Sequence, residues 1–174
     1  MKALTLTQPW ASLVALGLKH IETRSWSTGY RGPLAIHAAK GFPNDCKELC
    51  IEEPFRSVLL VAGIGGASEL PRGEMIATAK LLGCVRIVHP RALIAEAHRT
   101  LMGRDFEPLT DQEMAFGDYT PGRYAWVIGE VQMLEDPIVV KGALGLWEWT
   151  NDCPHVGCQR PMPHEHKIEG PVQA

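Results

Sequence analysis

The sequence predicts an α+β fold in which helices flank a curled antiparallel sheet. At 174 residues the chain fits one domain with a single core. Stretches that alternate apolar and polar residues recur along the chain, and helical stretches separate them without a regular strand-helix repeat. The predicted strands cover residues 2–7, 19–26, 33–40, 74–90, 122–131 and 137–141.

The first elements are a strand, a short helix and a charged strand. Residues 2–7 alternate threonine with leucine, as a half-buried strand does. Pro9 stands where a helix begins and Gly17 suits a left-handed helix cap, which predicts a helix of about two turns between them. Lys19 follows that helix directly. Alternation over 19–26 then places four side chains on one strand face: His20, Glu22, Arg24 and Trp26.

The strand at 33–40 carries an isolated histidine. His37 shares its face with Ala35 and Ala39, which indicates room for a bulky group beside the imidazole. The alternative is a core histidine whose ring is bonded to a backbone carbonyl. His37 is therefore a candidate ligand-binding residue with a structural alternative.

The middle of the chain predicts helices, loops and a long strand. Asn44 suits an N-cap for a helix through Cys50, and a second helical piece runs toward Leu60. The glycines of 63–66 lack the Lys-Ser/Thr of a P-loop, so we expect a plain loop there. The pattern then predicts a long bent strand or two strands over 74–90, a helix near 91–102, and a covering loop over 104–121.

Composition indicates a cytoplasmic globular protein. The chain is 45% hydrophobic and 21% charged, and its apolar runs stay well below the ~18 residues of a membrane span. The N-terminus reads as a strand and lacks a signal-peptide cleavage site. Five cysteines, an odd number with no Cys-x-x-Cys pair, predict reduced thiols.

Charge is unevenly distributed along the sequence. Residues 1–40 hold five cations against Glu22 alone, a local net charge of +4, so the remainder carries −7 of the total of −3. The cations are Lys2, Lys19, Arg24, Arg31 and Lys40. This bias predicts that a polyanion is attracted to one end of the molecule, through few contacts.

The candidate site is the charged cluster of Lys19, Glu22 and Arg24. The alternative is a solvated strand face with weak ion pairs. Apolar neighbours, among them Trp10 and Trp26, favour a packed segment. In a partly dry cleft Glu22 accepts from the exocyclic amine of a base, and the two cations face phosphate or carbonyl oxygens. Stacking surfaces for that base are expected from Trp10, Trp26, Tyr124 or Trp126.

The end of the chain contains a second, weaker cluster. Its two thiols and nearby imidazoles suit a four-ligand zinc site, but the spacing matches no finger pattern, so we favour no metal and expect a poorly ordered tail over 148–174. The weak candidate ligands are Cys153, Cys158, His164 and His166.

Two separated stretches carry motifs. In the first, residues 8–13 run into 17–26, which begins Gly17-Leu-Lys-His-Ile-Glu-Thr-Arg24, and residues 30–32 and 36–38 follow; the second is 116–126, followed by 137–142. Together they resemble the ASCH family, named for its homology to activating signal cointegrator, whose signature is Gly-x-Lys-x-x-Glu-x-Arg. The resemblance covers residues 1–147 and implies a PUA-like β-barrel flanked by helices, with a cleft between barrel and first helix.

The resemblance also implies a role around RNA or nucleotides. One bacterial branch is an amidohydrolase for N4-acetylcytidine that uses a Lys, a Thr three residues later, and a Glu. Lys19 matches that Lys, whereas Glu22 stands where the Thr is expected, so binding is favoured over hydrolysis; the catalytic candidates, for an enzyme, are Lys19 and Glu22. The third polar partner is Glu107, Glu113 or Asp118.

These observations give one set of expected ligand contacts. We expect RNA, single-stranded nucleic acid or a nucleotide-like small molecule as the partner, with no cofactor and no membrane. An amidohydrolase of N-acylated nucleosides and a zinc-binding interaction platform are the alternatives. The predicted ligand-binding residues are Lys19, Glu22, Arg24, Trp10, Trp26, Arg31, His37, Asp118, Arg123 and Tyr124.

Overall fold

The computed structural model describes residues 1–89 and 110–150, which form six strands and four α-helices. The strands are β1 (Lys2–Leu6), β2 (Ile21–Arg24), β3 (Gly32–Ala38), β4 (Glu74–Arg86), β5 (Tyr124–Val139) and β6 (Leu146–Glu148). The helices are α1 (Trp10–Ala15), α2 (Asn44–Leu49), α3 (Phe55–Val61) and α4 (Asp111–Ala115), with a 3₁₀ turn at Ala67–Glu69.

One curled sheet of order β2-β5-β4-β3-β1-β6 forms a half-barrel, which confirms the α+β class. The sheet is mixed: β1 pairs with β3 in parallel, whereas the other neighbours are antiparallel. The parallel pair arises because α1 and β2 together carry the chain back before β3 begins. In this sheet β2 and β6 are the edge strands.

Helix α1 ends as its sequence predicts. Gly17 has φ +68°, and the N–H of Leu18 reaches back to the carbonyl of Leu13 at 2.9 Å, a Schellman cap. Leu13 and Val14 are fully buried: Leu13 packs with side chains of α3, and Val14 packs with the sheet core. Burial of each such side chain contributes about 1.5–3 kcal/mol, so truncation of Leu13 to alanine loosens α1 and the cleft beside it.

Strand β2 keeps the predicted alternation but is shorter than 19–26. Ile21 and Thr23 are buried, whereas Glu22 and Arg24 are half-buried on the other face. The strand ends at Arg24 because its pairing with β5 ends there, opposite Tyr124.

The central strands β4 and β5 are long and bent. The β4 pairing with β5 shifts register three times, which agrees with the predicted bent strand. The separate strand predicted at 137–141 is instead the end of β5, which continues through Glu130 at φ +50°. We interpret Glu130 as the position where a bulge bends the strand without ending it.

The predicted covering loop was partly wrong, because residues 111–115 form helix α4. At the other end, β6 pairs with β1, and Trp149 is 8% exposed. The helix predicted at 91–102 and the Cys153 to His166 cluster lie outside the described residues.

Within residues 1–89 and 110–150, no helix is long and apolar enough to cross a bilayer. In the same part of the chain no group of three or more His, Cys, Asp or Glu side chains is placed to hold a metal ion. Cys46, Cys50 and Cys84 are free thiols.

Candidate functional site

A cleft of about 440 Å³ lies where β1, β2, α1 and the segment after α4 meet. Its lining combines charged, hydroxyl and aromatic side chains. The lining residues are Thr5, Leu6, Thr7, Trp10, Glu22, Thr23, Arg24, Leu49, Phe55, Ala115, Phe116, Gly117, Asp118 and Arg123.

The β2 side of the cleft carries an ion pair. Arg24 Nε lies 3.2 Å from Glu22 Oε1, and Arg24 Nη2 donates to the carbonyl of Thr5 at 3.2 Å. The side chains of Glu22 and Arg24 are 12% and 26% exposed, so this pair is not a solvated strand face. We call it the cleft pair.

The facing wall carries a second ion pair. Arg123 Nε lies 3.3 Å from Asp118 Oδ2, and Arg123 Nη2 donates to the carbonyl of Thr23 at 3.2 Å. Hydrogen bonds from the hydroxyl and N–H of Thr120 hold the pKa of Asp118 below its ordinary value, with Arg123 acting in the same direction. The Asp118 N–H donates to Thr23 Oγ1 at 3.2 Å, which ties this wall to β2.

Aromatic rings form the apolar wall of the cleft. Trp10 Nε1 donates to the carbonyl of Phe116 at 2.7 Å, and its ring meets Phe55 edge-on at 6.1 Å between centroids. Phe55 in turn packs on Phe116 at 4.8 Å. Because the indole N–H is already bonded, Trp10 offers a ligand its ring surface.

Beneath the cleft lies a buried cluster of Lys19, Glu113 and Tyr119, which we call the edge cluster. Lys19 is 1% exposed, lies 3.7 Å from Glu113 Oε1, and donates to the carbonyl of Ile21. Glu113 also accepts from the N–H of His20 at 2.9 Å, the N–H of Ile21 at 3.2 Å and the hydroxyl of Tyr119 at 3.2 Å.

The edge cluster satisfies the outer edge of β2. An edge strand presents unpaired N–H and C=O groups, and here Glu113 accepts from the N–H of Ile21 while Lys19 donates to its carbonyl. Burial and the Glu113 carboxylate raise the pKa of Tyr119 far above its usual range, so its hydroxyl stays a donor. We expected the Lys19 ammonium beside Glu22 and Arg24, but it binds this edge instead.

Gly117 separates the edge cluster from the cleft. It lines the cleft, and a Cβ there would stand 2.8 Å from Tyr119 Cε2 and 3.4 Å from Lys19 Nζ. A side chain at this position therefore meets the tyrosine ring, and the Lys19 ammonium lies directly under the cleft floor.

The structure brings together part of the predicted ligand-contact set. Trp10, Glu22, Arg24, Asp118 and Arg123 line the cleft, and Lys19 lies beneath it. The lining does not include Trp26, Arg31, His37 and Tyr124.

The four predicted residues that do not line the cleft make contacts elsewhere in the domain. Trp26 packs edge-on against Trp126 at 4.5 Å, Tyr124 packs against the sheet core, and Arg31 is exposed and donates to nearby carbonyls. His37 is 2% exposed, with Nε2 at 3.0 Å from the carbonyl of Val140 and its ring against Trp147. This is the predicted core-histidine alternative, and Trp147 is the bulky group beside the small residues.

The sequence left Glu113 as one of three alternatives for the third polar partner, although the residues before it indicate the start of a helix. Thr110-Asp-Gln-Glu113 has the spacing of a capping box, and Thr110 Oγ1 does accept the N–H of Glu113 at 3.0 Å. The Glu113 carboxylate reaches β2 in addition. Asp118 lies in the cleft wall, and Glu107 lies outside the described residues. The cleft residues Thr23, Phe55 and Gly117 had no comparable signal, because distant segments bring them together.

The curled mixed sheet with flanking helices defines a PUA-like domain that carries a polar cleft at one sheet edge. The ASCH domain profile matches residues 4–138, more than half of the chain, so the chain belongs to the ASCH domain family.

Two proteins named activating signal cointegrator 1 are similar to part of the chain. The human protein is 34% identical over 84 residues, and the mouse protein is 32% identical over 82 residues. Each match covers 47% of this chain and 14% of the relative, so the chain corresponds to a small part of those longer proteins.

Proposed function

We propose that this ASCH domain binds single-stranded RNA or a nucleotide-like ligand and holds one base in the cleft. The observation that carries the proposal is the meeting of two guanidinium–carboxylate pairs and an aromatic wall in one cavity of about 440 Å³. Small-ligand sites of about 300–1,000 Å³ combine apolar walls with a few polar groups in this way.

Each wall of the cleft has a role toward a base. A ring stacked on Trp10 gains about 1–3 kcal/mol. Glu22 accepts hydrogen bonds from the base edge, and Arg24 and Arg123 donate to carbonyl or ring acceptors. Membership of the ASCH family, which is associated with RNA binding, supports this proposal.

Binding of labelled single-stranded RNA and DNA at low salt tests it. Arg24→Gln is expected to weaken binding by about tenfold or more, since a hydrogen bond to a charged group is worth about 1.5–3 kcal/mol. Arg31→Gln is the matched control, because Arg31 is exposed and outside the cleft lining; its affinity should stay within about twofold. Absence of binding by the parent, or equal losses in both variants, contradicts the proposal.

The second candidate function is amide hydrolysis of an N-acylated nucleoside, favoured by the buried Lys19 under Gly117. A water would attack the acyl carbon, the C–N bond would break, and the amine would leave with a proton. Lys19 and Glu22 are the candidate proton carriers. Incubation with acylated cytidines and adenosines tests it: release of free amine that Lys19→Arg abolishes, with the fold retained, supports hydrolysis, and intact substrate contradicts it.

A further inference from the structure

Carboxylates from the end of the described chain neutralise half of the positive bias of residues 1–40. Lys2 Nζ lies 2.6 Å from Glu148, Lys19 Nζ lies 3.7 Å from Glu113, and Arg24 pairs with Glu22. Two of the three carboxylates come from beyond residue 110. The local +4 of the sequence therefore does not become a positive surface at the cleft.

The cleft lining is itself electrically balanced. Among the described residues, its charged side chains are Glu22, Arg24, Asp118 and Arg123, two anions and two cations. Each guanidinium has Nε beside a carboxylate and Nη2 on a backbone carbonyl. A phosphate in this cleft would meet two carboxylates and would compete with both ion pairs, which disfavours it.

A neutral ring with hydrogen-bonding edges fits the same lining. Arg24 Nε is buried and, within the part of the chain that the structure describes, makes no hydrogen bond, although it lies 3.2 Å from Glu22 Oε1. The distance suits an ion pair, but the N–H is not aimed at the carboxylate, so Glu22 keeps acceptor capacity beside a guanidinium whose side chain is 26% exposed. An edge with an exocyclic amine next to a ring acceptor or carbonyl suits this carboxylate and the accessible part of the guanidinium.

From this balance we infer that the cleft selects an uncharged nucleobase with an exocyclic amine and leaves the phosphate outside. The inference rests on the proposed function and names its ligand class. Uracil is disfavoured because two carbonyl oxygens flank its ring N–H. A carboxylate that accepts from this N–H would lie close to these oxygens, and the like partial charges repel. Glu22 is thus the specificity-determining residue.

Two matched ligand pairs test the inference by calorimetry or NMR titration. Cytidine and uridine differ by an amine against a carbonyl, and guanosine and inosine differ by one amine. In each pair the amine-bearing nucleoside should bind about tenfold tighter. Addition of a 5′-phosphate, or a change from 50 to 500 mM salt, should alter Kd by less than about threefold, because few counterions are released.

The same titrations with Glu22→Gln test whether Glu22 determines the preference. The amide keeps one acceptor and gains a donor, so the preference for cytidine over uridine should fall toward one. Tighter binding with each phosphate and loss at high salt would overturn the inference while leaving nucleic-acid binding intact. Equal affinity for both members of each pair would also overturn it. Failure to bind any nucleoside, nucleotide or oligonucleotide would instead remove the proposed function.

Discussion

Two cation–carboxylate pairs flank the short strand β2, and they differ in burial and in what they contact. In the edge cluster, Lys19 and Glu113 are 1% and 9% exposed and bind backbone groups of β2. In the cleft pair, Glu22 and Arg24 are 12% and 26% exposed and face a cavity. One pair holds a wall in place, and the other presents its charges to a ligand.

The difference shows that spacing in the sequence does not decide the role of a charge. Lys19 is closer to Glu22 along the chain, yet its partner is Glu113, 94 positions away. A buried charge requires a partner and hydrogen bonds, whereas a half-buried one remains available. We therefore expect stability to depend on the edge cluster and ligand recognition on the cleft pair.

Loss of Lys19 should have the largest effect on stability. Lys19→Met leaves the Glu113 carboxylate buried without its cation and the carbonyl of Ile21 without a donor, a loss of about 3–5 kcal/mol. Urea unfolding measures this difference. Lys80→Met is the matched control, since Lys80 pairs with Glu130 on an exposed surface, and should stay within about 1 kcal/mol.

The double variant Lys19→Met/Glu113→Gln sharpens this test. Removal of both charges should cost less than the sum of the single losses, because no buried charge is then unpaired. Additive losses would contradict the coupling of these two residues.

Gly117→Ala should have the next largest effect on stability, because the added methyl group would clash with the edge cluster from the cleft side. The new Cβ stands 2.8 Å from the Tyr119 ring, so the ring must shift, at about 1–3 kcal/mol. Gly41→Ala is the control, with nothing within 4 Å of its Cβ. Equal melting temperatures for the two variants would show that Gly117 is not constrained.

Much of the fold follows from local patterns that do not require tertiary information. Pro9, Gly17 and the alternation of Ile21 with Glu22 located α1 and β2 because caps and strand faces are set by neighbouring residues. Local spacing also predicted the charged cluster of Lys19, Glu22 and Arg24. It did not predict that Lys19 pairs with Glu113 while Glu22 pairs with Arg24. That division depends on α4, which comes from a distant segment and packs against the edge of β2.

The differences from the predictions have more than one physical cause. Residues 111–115 were assigned to a loop although Thr110 and Glu113 have capping-box spacing, and the end of β5 was separated at Pro137 although the strand continues. Tyr124 and Trp26 remain predicted stacking surfaces, but they lie outside the cleft lining: Tyr124 packs against the sheet core, and Trp26, 37% exposed, meets Trp126 edge-on.

Acid should weaken the surroundings of His20, which adjoin the edge cluster, before the cleft wall. Burial holds the pKa of His20 below 6.5, against an opposing effect of Glu113. The unfolded chain then binds more protons, so this contribution is complete above about pH 6.5 and is lost as pH falls below it. The pKa of Asp118 lies below 3.8, so its contribution is lost only in stronger acid.

Unfolding midpoints between pH 8 and 4.5 measure this effect. His20→Gln should flatten the profile below pH 6.5. His37→Gln is the control, because burial also lowers the pKa of the His37 imidazole. This variant should leave the contribution of His20 to the pH dependence unchanged. An unaltered slope in His20→Gln would exclude His20 as the source of the acid sensitivity.

The smallest effect on stability is expected at the cleft pair. Glu22→Gln removes a mostly buried charge but leaves Arg24 with the carbonyl of Thr5 and about a quarter of its side chain exposed, so the free energy of unfolding should fall by about 1–2 kcal/mol, less than in Lys19→Met. Glu130→Gln is the matched control, because its pair has the same 3.2 Å distance and is more exposed. Urea unfolding of both variants beside Lys19→Met ranks the three pairs. A loss in Glu22→Gln as large as that in Lys19→Met would mean that both pairs hold β2 in place, and the cleft would then lack a charge that is available to a ligand.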